Sequence, residues 1–283
     1  MISVIIPSDG RASLSRAVAS IATMAEGIEI IVVDNTADGN LAVPGARVVR
    51  EAARNIAIVR NAGIAAATGQ ILVFLDDDQA FLPGAMALLI DALENADAAV
   101  AALYPVADGV RISGSLAADA HTRWLDLPPS ATIRLVSRWG KPLFRLSTGA
   151  CAFRREALTA RGFDPAFGVT GGEDTDLFCA LYRAGRRLVW VPQAEAEELV
   201  PIHRQDPAYQ LRRLRRESAS YRRIRLRYTQ SFALTWIELL VIGLIQTAAG
   251  VLPLGPRFRA LREKGLGKLG VGSGNFAVSA NVR

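Results

Sequence analysis

The chain has 283 residues, of which 51% are hydrophobic, and carries a net charge of +6. This composition excludes an intrinsically disordered protein and allows a sizeable buried core. The charge is unevenly divided, because residues 1–200 contain 18 lysines and arginines against 23 aspartates and glutamates, whereas residues 201–283 contain 15 against 4. Since the basic excess belongs to the last third alone, we expect no nucleic acid as a partner.

The cysteines and the N-terminus bear on the cellular compartment. Cys151 and Cys179 have no histidine or cysteine at metal-ligand spacing, so we expect two buried thiols in a reducing compartment. The first residues, MISVIIPSDGR, show neither a basic leader nor a cleavage site. We therefore expect no signal peptide.

Short apolar runs alternate with helix-type patterns along the first 106 residues. Strands are predicted at 2–7, 28–35, 46–51, 71–78 and 97–106, with a further strand at 187–192. Helices are predicted at 13–24, 55–68 and 82–96. Because the strands are continuously apolar, we expect them to be buried on both faces. The predicted fold class is α/β, with a Rossmann-like, mostly parallel sheet and helices on both faces.

Acidic residues follow three of the predicted strands. Asp9, Asp34 and the run Asp76–Asp78 each come where a strand ends. In parallel α/β sheets, ligands bind beyond the carboxyl ends of the strands. A solvated acidic turn is the alternative interpretation for each residue alone. Their recurrence after three strands favours a site for a cation, or for a cation that carries a phosphate.

Seven short motifs occur in an order that resembles a known family. They are VIIPSDGR, VVDN, RNAGIAAATG, FLDDD, STGACAFRR, GFD and GGEDTDL. This order is similar to that of family 2 glycosyltransferases of the GT-A fold, and the likeness extends over roughly residues 2–195. Within that family, the sequence is similar in appearance to bacterial enzymes that build exopolysaccharide or O-antigen repeat units.

The resemblance implies a nucleotide-diphosphate sugar donor and a divalent cation, Mg²⁺ or Mn²⁺. Asp78 and Asp76 would bind the metal, and a solvated acidic turn remains the alternative. For Arg60 the alternative is an arginine on a helix surface, and no role is assigned to Arg11. The residues that would contact the nucleotide are Pro7, Asp9, Asp34, Arg60, Asn61, Asp76 and Asp77.

The motif GGEDTDL would supply the catalytic base by the same resemblance. Asp174 would remove the proton from the acceptor, and Glu173 would contact the acceptor or the donor sugar. Asp176 would support the start of the helix that follows. The alternative is that all three acids only cap that helix. The loops near the sugars would contain Gly149, Ala150, Gly171 and Gly172.

His203 follows the last predicted strand of this domain, where some GT-A enzymes place a metal-binding histidine. The resemblance makes it a candidate metal ligand. The alternative is that it belongs to the exit from the domain, since many family 2 members lack such a histidine.

The last third of the chain separates into three segments after a catalytic domain at 1–200. Residues 201–230 are predicted to contain a basic amphipathic helix, and 231–254 form an apolar segment whose one charge is Glu238. Residues 255–283 are expected to be a loosely ordered, glycine-containing basic tail. Eight arginines would face anionic lipid: Arg212, Arg213, Arg215, Arg216, Arg222, Arg223, Arg225 and Arg227.

The apolar segment is interpreted as interfacial or transmembrane, with a helix buried in an oligomer interface as the alternative. Positive charge beside it places the domain on the cytoplasmic face of a bacterial inner membrane. The predicted function is an inverting, membrane-associated glycosyltransferase, with a UDP-sugar favoured as donor and a lipid-linked glycan as acceptor. The alternatives are a polyprenyl-phosphate glycosyltransferase, a nucleotidyltransferase and a non-catalytic membrane assembly factor.

Overall fold

A nine-stranded mixed sheet runs through the part of the chain that precedes residue 200. The structure is a computed structural model that describes residues 1–22, 27–134, 146–159, 161–252 and 255–271. The strands are β1 (Ile2–Ser8), β2 (Ile28–Asp34), β3 (Arg47–Arg50), β4 (Ile71–Phe74), β5 (Gln79–Phe81), β6 (Ala98–Ala107), β7 (Val110–Arg111), β8 (Cys151–Arg154) and β9 (Leu188–Leu199).

The strand order is β3-β2-β1-β4-β8-β6-β9-β5, with β7 paired to β6. Strands β1 to β4 pair in parallel, as do β6 and β9. Strand β8 is antiparallel to both β4 and β6, and β5 is antiparallel to β9. The prediction of a mostly parallel sheet therefore holds for the first half of the strand order, whereas the second half is mixed.

Ten helices complete the described elements. They are α1 (Leu14–Ala22), α2 (Ile56–Ala66), α3 (Ala85–Ala92), α4 (Leu116–His121), α5 (Arg155–Thr159), α6 (Glu173–Arg183), α7 (Ile202–Gln205), α8 (Pro207–Tyr228), α9 (Phe232–Ala249) and α10 (Pro256–Leu269). Helix α2 begins where predicted, because the Asn55 side chain accepts hydrogen bonds from the backbone N–H groups of Ala57 and Ile58. The last two residues of the helix predicted at 13–24 lie outside the described residues.

Two apolar cores cover the two faces of the sheet, as the strand pattern predicts. Alternate residues of β1 point in opposite directions, so Ile5 lies in one core while Val4 and Ile6 lie in the other. Helices α2 and α6 pack in the first core, and α1 and α3 pack in the second. Cys151 and Cys179 are free and fully buried, as expected.

The sequence prediction of the strands missed β5, β7 and β8, and it misplaced the ends of two others. Strand β9 continues to Leu199, well past the predicted end at 192, and a register shift interrupts its pairing with β6. This continuation was not predicted because charged residues interrupt the apolar run from Glu195 onward, whereas a strand buried on both faces is continuously apolar. The predicted strand at 71–78 ends at Phe74, so the three aspartates lie in the turn that follows it.

Four helices, α7 to α10, occupy the last third, and α8 and α9 lie within the predicted basic and apolar segments. Helix α8 begins at Pro207, and Asp206 caps it by accepting bonds from two backbone N–H groups. The expectation of a loosely ordered tail was wrong for residues 256–269, which form α10 against both α8 and α9. Glycines permit this close packing, since a Cβ on Gly243 would meet Leu269 and a Cβ on Gly265 would meet Thr247. Residues 253–254 and 272–283 lie outside the described residues.

Helix α9 is the one helix in the described part of the chain that is long and apolar enough to cross a membrane. Thr235, Leu239 and Gly243 are its buried residues and recur every four positions, so they form one face. Seven large apolar side chains of α9 are exposed: Phe232, Leu234, Trp236, Ile237, Val241, Leu244 and Ile245.

Candidate active site

The turn after β4 brings three aspartates against arginines from distant parts of the chain. The Asp77 side chain accepts hydrogen bonds from Ser8 Oγ at 2.8 Å and from Arg11 Nη1 at 2.9 Å. Asp78 Oδ2 accepts from Arg11 Nη1 at 2.5 Å and from Arg204 Nη1 at 3.0 Å. Asp77 and Asp78 are buried, so these cations compensate negative charge that water does not screen.

The environment of this turn raises the pKa of two of its carboxyl groups. Burial is the largest cause, and it raises the pKa of Asp77 to about 6 and that of Asp78 to about 7. The nearby Glu198 carboxylate raises the pKa of Asp78 further, whereas Arg11 and Arg204 lower it. A cation bound at this turn would therefore stabilise carboxylates that the protein alone ionises reluctantly.

The donor atoms of the turn fit a divalent cation that shares its ligands with a phosphate. Asp76 keeps its Oδ2 atom, and Asp78 its Oδ1 atom, without a hydrogen bond or ion pair to any described residue. No group of three acidic, histidine or cysteine residues that could hold a metal occurs within the described residues. Mg²⁺ is commonly bound by one or two carboxylates together with substrate phosphates, and this donor set matches that pattern.

Arg60 joins the aspartate turn to the start of α6. Its guanidinium group donates to Glu173 Oε1 at 2.8 Å, to Asp174 Oδ1 at 2.9 Å and to Asp76 Oδ1 at 3.2 Å. Arg60 is 4% exposed, so the alternative of a surface helix arginine was wrong. One buried cation thus holds together the predicted metal-binding and catalytic carboxylates.

Asp174, the predicted base, lies in the same cluster of charges and has a raised pKa. Burial raises its pKa to about 7, although the adjacent Arg60 lowers it. Its Oδ1 atom also accepts a hydrogen bond from Thr148 Oγ1 at 2.7 Å. Its Oδ2 atom makes no hydrogen bond or ion pair with a described residue, which leaves that oxygen available to accept a proton.

The loop that contains Gly149 and Ala150 lies beside the aspartate turn. A Cβ on Gly149 would come within 2.8 Å of Asp76 Oδ2, so a larger residue would displace that carboxylate. Ala150 adopts a positive φ of 52°, which is uncommon for a residue other than glycine. The buried Arg123 holds this backbone by donating to the carbonyl oxygens of Gly149 at 2.8 Å and Ala150 at 3.0 Å.

Helix α8 packs directly behind the loop that begins α6. Gly171 and Gly172 have φ angles of 85° and 100°, so this turn requires left-handed backbone. A Cβ on Gly172 would meet Ser220 at 3.1 Å and Ile224 at 3.3 Å, both on α8. The two glycines therefore serve the turn and its packing against α8, and their place beside a bound sugar stays a prediction.

Asp176 lies in the first turn of α6, as predicted, and also fixes α6 to α8. It is fully buried and accepts hydrogen bonds from Arg161 Nη2 at 2.8 Å and from Tyr228 Oη at 2.9 Å. Tyr228 is the last residue of α8. The catalytic domain predicted at 1–200 consequently depends on a helix that the sequence assigned to a separate membrane-associating segment.

Several predicted nucleotide ligands make contacts within the protein. Asp34 is buried and accepts hydrogen bonds from Thr36 N at 2.8 Å and Leu41 N at 3.2 Å, and these bonds stabilise the turn after β2. The Asn61 amide group bonds to the backbone N–H and carbonyl of Phe163. These contacts give Asp34 and Asn61 structural roles, and their contact with a nucleotide stays a prediction.

Pro7 and Asp9 lie at the end of β1, beside the aspartate turn. Pro7 is a buried residue of β1 and is paired with Val33. Asp9 is half exposed and forms an ion pair of 3.2 Å with Arg11. Through Arg11, Asp9 is connected to Asp77 and Asp78.

His203 is exposed, and its ring packs edge-on against Tyr209. The neighbouring Arg204, not His203, reaches Asp78. The described residues thus give no support to His203 as a metal ligand. Arg204, in α7, thus connects the C-terminal helices with the aspartate turn.

Five of the eight arginines predicted to face lipid are paired with groups of the protein. Arg213 pairs with Glu217, Arg215 with Glu263, and Arg225 with Glu238; Arg223 bonds to Thr170 and Ala166, and Arg227 pairs with Asp164 and Asp176. These arginines fix α8 to its neighbours. Arg212 and Arg216 are exposed on the same helix.

Sequence analysis missed four residues of the site. They are Thr148, Arg123, Arg204 and Glu198. Thr148 was within reach, since it belongs to the quoted motif STGACAFRR. Glu198 and Arg204 begin and end the stretch ELVPIHR at the exit from the domain, which the sequence analysis weighed only in connection with His203. Arg123 comes from a segment without a recognised pattern.

Comparison with known proteins agrees with this architecture. The model of the family described as glycosyl transferase family 2 matches residues 3–162. The chain is 30% identical over 215 residues to the succinoglycan biosynthesis protein ExoM of Rhizobium meliloti (strain 1021). That match covers 70% of this chain and 65% of ExoM, so it spans slightly less than two thirds of the relative.

Solved structures share the fold at low sequence identity. S. aureus TarS (residues 1–349, in complex with UDP-GlcNAc) has a TM-score of 0.57 at 13% identity, with 98% of this chain and 93% of that chain covered. GalNAc-T7, solved with UDP, GalNAc and Mn²⁺, has a TM-score of 0.58 at 16% identity, with 94% and 54% covered. These similarities show the GT-A fold alone. Since the family model covers more than half of the sequence, the chain belongs to glycosyl transferase family 2.

Proposed function

We propose that the protein transfers a sugar from a nucleotide-diphosphate donor, with a UDP-sugar favoured, to a lipid-linked glycan in polysaccharide synthesis. The observation that carries this proposal is the Arg60 cluster, which holds the aspartate turn and Asp174 together around one buried cation. The family assignment and the succinoglycan relative support the same reaction class. The UDP and Mn²⁺ present in related structures support the choice of donor and cofactor.

In the proposed reaction, the acceptor hydroxyl attacks the anomeric carbon from the face opposite the nucleotide. The Oδ2 atom of Asp174 takes the hydroxyl proton while the new C–O bond forms. The bond between the anomeric carbon and the diphosphate oxygen breaks, and its electron pair leaves with the nucleoside diphosphate. This direct displacement inverts the anomeric configuration.

The residues around the aspartate turn would bind the leaving diphosphate. Asp76 and Asp78 would hold a divalent cation, which when bound would neutralise negative charge on the phosphate oxygens. Arg11 forms ion pairs with Asp77 and Asp78 and supplies a fixed positive charge at the same turn. Arg60 pairs with both Asp174 and Asp76, so one side chain would fix the position of the base relative to that of the bound donor.

Calorimetric titration tests the donor site directly. UDP, GDP and dTDP are titrated into the purified full chain with and without Mn²⁺. We expect UDP to bind most tightly, Mn²⁺ to strengthen that binding, and Asp78→Ala to abolish the Mn²⁺ effect because it removes a carboxylate ligand. Asp91→Ala, an exposed acidic residue on α3, is the matched control and should bind like the wild type.

A different result would change the proposed function in a defined way. Tighter binding of GDP or dTDP would replace the UDP donor while the reaction class remains. Absence of binding by all three nucleotides, with and without Mn²⁺, would contradict a transferase and favour a non-catalytic assembly factor.

We also propose that the protein associates with the cytoplasmic face of the bacterial inner membrane through α9 and α10. The exposed apolar side chains of α9 suit the interfacial region of a bilayer. Glu238, the one charge on α9, forms a 2.5 Å ion pair with Arg225 of α8, which reduces the cost of placing it near lipid.

Cationic side chains beside this apolar surface come from α10. A cleft of about 560 Å³ lies where α9 ends, and it is lined by Gly250, Val251, Leu252, Gly255, Arg259 and Arg262. Val251 and Leu252 are exposed apolar residues, and Arg259 and Arg262 are exposed cations. This juxtaposition matches an anionic lipid surface, with phosphate near the arginines and acyl chains near the apolar side chains.

Vesicle binding tests this assignment with a matched pair of variants. We expect Arg259→Gln with Arg262→Gln to weaken binding to vesicles that contain anionic lipid by about thirtyfold, since each arginine contributes about 1 kcal/mol. Arg212→Gln with Arg216→Gln removes two exposed arginines of α8 and should have a much smaller effect. If the control variant loses as much vesicle affinity or more, α8 and not α10 makes the main contact with lipid. Oligomers formed without lipid would instead favour a protein interface on α9.

A further inference from the structure

A chain of buried and partly buried polar side chains connects α8 with the aspartate turn. Asp78 bonds to Arg204, whose Nη1 atom is also 3.9 Å from Glu198 Oε1. Glu198 Oε1 is 2.5 Å from His121 Nδ1. His121 Nε2 is in turn 2.6 Å from Arg213 Nη1, on α8. His121, which lies at the end of α4, is 3% exposed.

The partners of His121 determine where its proton lies. Glu198 offers a carboxylate oxygen, so Nδ1 donates the hydrogen bond. Arginine can only donate, so the Nε2 atom must accept from Arg213. These directions require a proton on Nδ1 and a free Nε2 lone pair, so that His121 links the Glu198 carboxylate to the Arg213 guanidinium group.

Glu198 could bind either His121 or Arg204. Its Oε1 atom lies close to His121. Arg204 Nη1 is 3.0 Å from Asp78 Oδ2 but 3.9 Å from Glu198 Oε1. While His121 holds Glu198, Arg204 is left to Asp78. Without His121, Glu198 would lack its short hydrogen bond, and Arg204 Nη1, 3.9 Å from its Oε1 atom, would be drawn toward it and away from Asp78.

The geometry points to His121 and Arg213 as positioning residues for Asp78, acting through Glu198 and Arg204. Neither residue contacts the aspartate turn, and α8 becomes part of the donor site through them. The inference rests on the proposed donor site, because it concerns the orientation of a carboxylate that would bind a divalent cation. Outer-shell partners that orient such ligands affect metal affinity about 10- to 100-fold.

The test measures Mn²⁺ affinity in the presence of UDP, by the electron paramagnetic resonance signal of free Mn²⁺. His121→Phe keeps the ring shape and removes both nitrogen atoms. We expect it to weaken Mn²⁺ affinity about tenfold. His121→Asn retains a donor near the position of Nδ1 and should restore most of the affinity. Arg213→Gln should resemble His121→Phe, whereas Arg212→Gln, its exposed neighbour, should resemble the wild type.

A double-mutant cycle separates a positioning role from a general loss of structure. In an Arg204→Gln background, His121→Phe should change Mn²⁺ affinity less than twofold, because its effect passes through Arg204. The chain has two histidines, so ¹⁵N-labelled histidine gives two imidazole signals, and His203→Gln assigns them. We expect the His121 proton on Nδ1 in the wild type. The variants should keep the spectrum of a folded protein, and in the Arg204→Gln background His121→Phe should no longer weaken Mn²⁺ affinity.

Three results would overturn the inference. Equal effects of His121→Phe in both backgrounds would show that it does not act through Arg204. A proton on Nε2 of His121 would contradict the hydrogen-bond directions. A wild-type protein that binds no Mn²⁺ in the presence of UDP would refute the proposed donor site, and this inference with it. If the wild type binds both Mn²⁺ and UDP but the effects of His121→Phe and Arg204→Gln are additive, this inference alone is refuted.

Discussion

Asp174→Asn is expected to lower the rate of sugar transfer about a thousandfold, within the 10²- to 10⁴-fold range of general-base catalysis. The substitution preserves the shape of the side chain and its contacts with Arg60 and Thr148, but it removes the oxygen that accepts the proton. Nucleotide binding with Mn²⁺ should change little. The measurement is steady-state transfer to a glycan acceptor, compared with binding of UDP to the same preparation.

Glu156→Gln is the matched control for this experiment. Glu156 is an exposed acid in the first turn of α5, so its loss reports what an acid at a helix start contributes. We expect its transfer rate to equal that of the wild type. Full activity of Asp174→Asn would contradict the role of Asp174 as base, and would favour an already ionised acceptor such as a polyprenyl phosphate.

The pH dependence of transfer follows from the same residue. Burial raises the pKa of Asp174 to about 7, and only the ionised form can accept a proton. The value of kcat/KM should therefore fall about tenfold for each pH unit below this pKa, as the base becomes protonated. A rate that is independent of pH between 5 and 8 would contradict the assignment.

Arg60→Met is expected to have the largest effect on stability, about 3–5 kcal/mol at pH 8. The substitution leaves the carboxylates of Glu173, Asp174 and Asp76 without their shared cation in a site that is mostly buried. Urea denaturation of the wild type and the variant measures the free energy of unfolding. Arg60→Lys keeps one charge and should recover part of the loss.

The destabilisation by Arg60→Met should be smaller at pH 5 than at pH 8. Without Arg60, the folded-state pKa of Asp174 rises farther above its unfolded value of about 4. A carboxyl group with a raised folded-state pKa favours folding most at low pH, and this contribution is lost as pH rises through the folded-state pKa. Arg47→Met breaks an exposed ion pair with Glu29 and should cost less than about 1 kcal/mol at either pH.

The local sequence was sufficient to predict most of the first half of the sheet. The apolar runs that became β1, β2 and β4 are short and uninterrupted, and burial on both faces requires that composition. Strand β8 was missed because CAFR is four residues long and continues directly into α5. Its antiparallel pairing between β4 and β6 depends on contacts that are distant in sequence.

Except for Glu198, the acidic residues of the candidate site were predicted from the sequence because each lies in a recognisable motif at a strand or helix end. Their cationic partners were not, with the exception of Arg60. Arg213 lies in a segment rich in arginine, where composition alone cannot tell an arginine that contacts lipid from one that pairs within the protein. Only burial and distance make that distinction, and they placed five arginines of α8 against residues of the protein.

The sequence by itself determined the α/β class, the family and the acidic residues of the site, because these depend on local composition, periodicity and motifs. The tertiary structure decided how the charges are paired: Arg60 with Asp174, Arg204 with Asp78, and α8 with the start of α6. Ion pairs in a buried site form between side chains that folding brings together, at separations in sequence of up to 126 residues. No local pattern encodes such pairs, since each partner alone is an ordinary charged residue.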